Sequence, residues 1–116
     1  MVDKTLMPKD SRNNHIPVLG IKAGGSQTVT SNSGGTARNT TPLSAMVVTI
    51  TTRVDVRIRL GTDNTVVATD SDFPILASMG PQDISINNRE DTQITHIAVK
   101  TFSGGVDGEV YISERI

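Results

Sequence analysis

The stretch Ser44-Ala-Met-Val-Val-Thr-Ile-Thr-Thr-Arg-Val-Asp-Val-Arg-Ile-Arg-Leu60 decides the fold class. Apolar residues fall on Met46, Val48, Ile50, Val54, Val56, Ile58 and Leu60, and from Thr49 onward the odd positions are polar. Alternation with a period of two is the signature of a pleated strand with one buried and one wet face. A helix over the same residues would scatter the apolar set around its circumference. One unbroken strand of this length would reach roughly 55 Å at about 3.3 Å per residue. A chain of this size has an expected radius of gyration of about 13 Å, so the stretch must fold back. The reading is two adjacent antiparallel strands with a turn or sharp bend near Thr51–Arg53. Their outer face would carry a row of arginines, Arg53, Arg57 and Arg59.

The chain has 116 residues, room for one domain, with 35% hydrophobic residues and only 3% aromatic. Its aromatics are Phe73, Phe102 and Tyr111, so the core must be built from Val, Ile, Leu and Met. Small domains bury a smaller fraction of their surface than large ones. Without cysteine, neither disulfides nor a thiolate zinc site can supplement that core. Subunit association is the remaining common remedy, and an oligomer is expected.

Eleven basic and twelve acidic residues leave a formal net charge of −1, which gives no global attraction to nucleic acid or anionic membrane. No run of about 18 apolar residues is present to cross a bilayer as a helix. The first residues lack the apolar run of a signal peptide, and with the absence of cysteine this fits synthesis in a bacterial cytoplasm.

Along the chain, residues 1–16 show no period and are read as an extended N-terminal arm. The arm is either a frayed tail or a segment that orders against a neighbour through Leu6 and Met7. Residues 17–116 form the β-sandwich domain. Pro17–Lys22 and Ser26–Ser31 read as strands separated by a turn at Ala23-Gly24-Gly25. Asn32–Thr41, almost wholly Asn, Ser, Gly and Thr, reads as a mobile loop. Gly34-Gly35-Thr36 lacks the Lys and the following helix of a phosphate loop. Thr65–Thr69 reads as a short strand returning in a hairpin after the turn Gly61–Asn64. Asp70–Pro81 is a connection carrying Phe73, Ile75, Leu76 and Met79. So apolar a loop either plugs the sandwich end or faces a partner. Ile84–Ile86, Gln93–Thr101 and Gly108–Ile116 complete about eight short strands. The fold expected is all-β: a single-domain antiparallel sandwich with jelly-roll topology.

No catalytic arrangement emerges. His15 and His96 are far apart in sequence, and His96 reads as a packed or edge histidine. Asp63, Asp70 and Asp72 could gather around calcium but do not match the twelve-residue calcium loop, and solvated turn aspartates are the default. No Ser or Thr sits in a nucleophile elbow. The arginine row is either a solvated face balanced by Asp55 and cross-strand carboxylates or a binding face for an acidic protein surface. No aromatic platform accompanies it for nucleic acid. The expectation is a non-enzyme without cofactor or metal.

Arg59-Leu60-Gly61, Thr65-Val66-Val67-Ala68-Thr69 and Asp72 are followed by a proline-containing loop. Thr95-His96-Ile97-Ala98-Val99 and Gly108-Glu109-Val110-Tyr111-Ile112-Ser113-Glu114 come after it. This succession, over roughly residues 44–116, resembles small β-sandwich virion proteins of tailed bacteriophages, of the capsid decoration (cement) type. The loop Phe73–Pro81 is longer and more apolar than that pattern. The resemblance implies a structural protein on the outside of the phage head that stabilises contacts between major capsid protein subunits as a dimer or trimer. It implies no active-site residues, no nucleic acid and no membrane. Candidate contacts are Leu6, Met7, Arg53, Arg57, Arg59, Phe73, Ile75, Leu76 and Met79. A head–tail or tail component, or a ligand-binding sandwich, are the rival readings.

Overall fold

The computed structural model describes residues 20–87 and 93–116. Leu6 and Met7, with the rest of the proposed arm, lie outside the described residues, as do Pro17–Leu19 of the expected first strand. Eight strands follow one another: β1 (Ile21–Thr30), β2 (Ala37–Arg38), β3 (Val47–Thr52), β4 (Val56–Gly61), β5 (Phe73–Ile75), β6 (Gln82–Ser85), β7 (His96–Thr101) and β8 (Glu109–Arg115). A 3-10 turn spans Ala77–Met79.

The strands form two four-stranded sheets, β1-β8-β3-β6 and β2-β7-β4-β5, with every pairing antiparallel. The pairs are nested: β4 with β5, β3 with β6, β2 with β7 and β1 with β8. A long two-stranded ribbon with β4 and β5 at its closed end, rolled so that β8 meets β3 and β7 meets β4, gives this order. That is the jelly roll expected from the sequence.

The alternating stretch holds in its phase but not in its pairing. Val48, Ile50, Val56 and Ile58 are all buried. Yet β3 lies between β8 and β6, and β4 between β7 and β5, so the two are not neighbours. At the bend the chain crosses from one sheet to the other, and each strand turns its apolar face to the same interior from opposite sides. Thr52, at an apolar-phase position, is buried there. Its hydroxyl bonds both the carbonyl and the N–H of Val54, which satisfies it while the chain turns.

Other departures have local causes. The two strands expected over Pro17–Lys22 and Ser26–Ser31 are, as far as described, one strand whose register against β8 shifts between Ile21 and Ser26. Gly24, at φ 69°, takes up that irregularity instead of making a turn. Thr65–Thr69 is not a strand. Its place beside β4 belongs to β5, and the chain doubles back so closely that a methyl on Gly61 would collide with the Val66 side chain. The polar segment Asn32–Thr41 is not all loop either. It contains β2, and Asn39 is buried because its amide bonds the carbonyls of Thr41 and Thr95 and its oxygen accepts from Ile97 N–H.

The core cluster is aliphatic, with Ile50, Ile75, Ile97 and Ile112 among its fully buried members. Gly61→Ala is expected to lower stability by about 1–3 kcal/mol through overpacking against Val66. Gly35→Ala, which would place its methyl in open space, should stay within about 0.5 kcal/mol. Urea unfolding of both variants checks the comparison.

Candidate protein-contact face

Residues directly opposite across antiparallel strands share a face. Arg38 of β2 and Arg59 of β4 both oppose Ala98 of β7, while Arg57 opposes Lys100 on one side and Pro74 on the other. The outer face of the second sheet therefore carries Arg38, Arg57, Arg59 and Lys100. Arg53 does not continue this row. It follows β3 in the bend and pairs with Glu109 of β8 at 3.7 Å, at the first sheet.

Balancing carboxylates come from the turn before β5. Asp72 accepts from Arg59 at 2.9 Å and Asp70 from Lys100 at 2.7 Å. Asp55, the partner expected from the sequence, instead accepts the Ala77 N–H at 2.9 Å. Arg57 is held otherwise: its guanidinium lies 4.3 Å from the centre of the Phe102 ring and donates to the Asp72 carbonyl. Pairs this exposed are screened by water and contribute little to stability. They compensate Arg59 and Lys100, and leave Arg38 and Arg57 without a carboxylate partner among the described residues.

The apolar connection is divided between interior and surface. Ile75 is fully buried and Leu76 half-buried, whereas Phe73 and Met79 remain 62% and 43% exposed. Phe73 opposes Ile58, so it points to the interior side of its sheet. It stays exposed because β5 is the last strand of the second sheet and β6 the last of the first. Between these two edges the sandwich is open. A crevice of about 380 Å³ is lined by Ile58, Leu60, Phe73 and Ile84, with Arg59 and Asp72 at its rim. Sequence reasoning found Phe73 but missed Ile58, Leu60 and Ile84. Their alternation marks them as interior residues, and only the strand order reveals that the interior opens there.

The three aspartates considered for calcium are engaged elsewhere. Thr65 hydroxyl and N–H donate to Asp63 and hold its carboxyl below the usual range. Lys100 and Ser103 do the same for Asp70. At Asp72 burial pushes the carboxyl up, but the Thr69 N–H and hydroxyl and Arg59 together outweigh it and hold it low. No group of three potential metal-ligating side chains occurs among the described residues, nor does any helix among them reach the length and apolarity needed to cross a membrane. His96 is buried at the start of β7, where its Nδ1 shares a hydrogen with the Thr95 hydroxyl at 2.8 Å.

No family model, curated protein or solved structure matches the chain.

The lowered aspartates fix the sign of the acid response. A carboxyl depressed in the folded state stabilises the fold above its unfolded value, about 3.9, and loses that contribution as pH falls through the lower folded value. The melting temperature should therefore change little between about pH 7 and pH 5 and drop below about pH 4. Asp72→Asn should lower the neutral melting point and reduce that acid drop. Thermal scans across the range read both effects.

Proposed function

We propose that the protein is a structural virion component, a decoration or cement protein that sits on the outside of a phage head and bridges subunits of the major capsid protein. The observation that carries this reading is the open β5/β6 edge. An aliphatic crevice with an exposed Phe73 lies there between two strand ends, rimmed by one cation and one carboxylate. Apolar edge surface of this kind is a docking feature, and short edge strands with unpaired backbone are templates for pairing with another chain.

The jelly roll is compatible with this function but shared with lectin and cupin domains, so the fold alone does not select it. The resemblance of residues 44–116 to phage decoration proteins adds the virion context. A clamp of this type works through shape and repetition. A rigid knob that contacts two or three shell subunits at once gains from the effective concentration of each later contact. Symmetric dimers or trimers would place it on local symmetry axes, and synthesis in the host cytoplasm would precede docking. Arg59, at the crevice rim, is a secondary contact on this reading, and Arg57 and Met79 are candidate contacts outside the crevice lining. Arg53, on the other sheet, would touch a separate neighbour, and Leu6 and Met7 lie outside the described residues.

Co-sedimentation with expanded, undecorated heads of the source phage tests the proposal. Saturable binding is expected, and Phe73→Asp should weaken it by at least tenfold, about 1.4 kcal/mol, with the melting temperature nearly unchanged. Absence from the head surface, or full occupancy by the Phe73→Asp variant, contradicts it. Light scattering of the free protein should give the mass of a dimer or trimer.

A further inference from the structure

A second concavity lies at the β2 side of the second sheet, away from the β5 edge. It encloses about 360 Å³ between β2, the start of β7 and the turn after β4, and its polar lining is Thr36, Arg38, Asn39, Thr40, Asn64 and His96. Local structure presents these groups as hydrogen-bond donors. His96 is 7% exposed, and with the Thr95 hydroxyl donating to Nδ1 the hydrogen of the neutral ring sits on Nε2. Its Nε2 has no partner among the described residues. Arg38 donates through Nε to the Val66 carbonyl, which fixes the guanidinium plane and leaves both Nη atoms without an acceptor among the described residues. Thr36 Oγ1 accepts from Ala68 N–H, so its own hydrogen is available. Thr40 and Asn64 make no side-chain bond among the described residues. Asn39 differs, because its amide is already engaged by backbone.

We propose that this pocket binds one carboxylate group, carried by a small carboxylic acid or by an acidic side chain, with the Arg38 Nη atoms and His96 Nε2 as its principal donors. The remaining fork of a guanidinium matches a planar carboxylate in a two-point contact. Thr36, Thr40 and Asn64 offer further donors at the rim. The Asp63 carboxyl lies outside the lining and is held low chiefly by Thr65, with small contributions from His96 and Arg38. The inference stands apart from the docking reading, which uses the other edge of the sheet.

Amide and guanidinium shifts of the labelled full chain test it, at constant ionic strength, with acetate, with a glutamate residue blocked at both backbone ends, and with inorganic phosphate. Acetate should give saturable shifts at Arg38, Asn39, Asn64 and Ile97 that chloride does not reproduce. Arg38→Gln should weaken binding at least tenfold. Thr40→Val, a change at an exposed loop position, should weaken it about threefold, as expected for one neutral hydrogen bond, and serves if Arg38→Gln does not fold. Saturation by acetate and blocked glutamate together assigns the pocket to an acidic side chain; saturation by acetate alone assigns it to a free acid. Failure of acetate to saturate, saturation by phosphate alone, or unchanged affinity in folded variants overturns the proposal.

Discussion

Everything in this molecule depends on two sheets closing over an interior made of branched aliphatic side chains. The buried cluster contains Val, Ile and Leu and no aromatic ring. Aliphatic side chains are small, so complementarity must come from many strands each supplying one or two of them. Eight short strands in nested pairs meet that requirement. Burial of each large aliphatic residue contributes roughly 1.5–3 kcal/mol relative to exposure. Losses at one or two positions would therefore be felt throughout.

With so little apolar material, the sandwich ends are closed by polar groups that are individually satisfied. Glu114 is buried and gathers the backbone N–H groups of Ser44 and Ala45 together with the Lys22 ammonium, tying β1, the chain before β3 and β8 together. At another point Ser31 and Thr101 bond each other while Asp107 accepts from Thr101 and from Ser33 N–H. Asn39 joins β7 to the segment after β2. No buried side-chain polar atom among the described residues is left without a partner. Apolar surface stays uncovered at single side chains such as Ile21, Met46, Val106 and Ile116 and, as a lined crevice, at the β5/β6 side, which links the thinness of the core to the proposal that another chain completes it there.

Periodicity made the strand content and the inward-facing set legible: Val48, Ile50, Val56, Ile58, Val110 and Ile112 are buried as their alternation implies. It could not say that β3 and β4 belong to different sheets, because a bend between strands and a crossover between sheets leave the same pattern. Nor could it reveal that the polar run around Asn39 is partly interior, since burial there rests on hydrogen bonds between residues far apart in sequence. The same limit split the site. Arg57 and Arg59 share a face as their spacing requires, and Arg53 is carried away by the crossover. Phe73 was legible as a candidate contact in a loop that could equally plug the core, while its companions Ile58, Leu60 and Ile84 became visible only with the edge order. The donor-lined pocket at Arg38 and His96 joins segments that no spacing rule connects.

Hydrogen–deuterium exchange of the protein free and bound to expanded heads tests most directly the claim that the open edge is where another chain docks. The account predicts that binding slows exchange chiefly in Phe73–Leu76 and Gln82–Ser85, the backbone flanking the crevice. Unchanged exchange in both segments, with protection elsewhere on the domain, would contradict it.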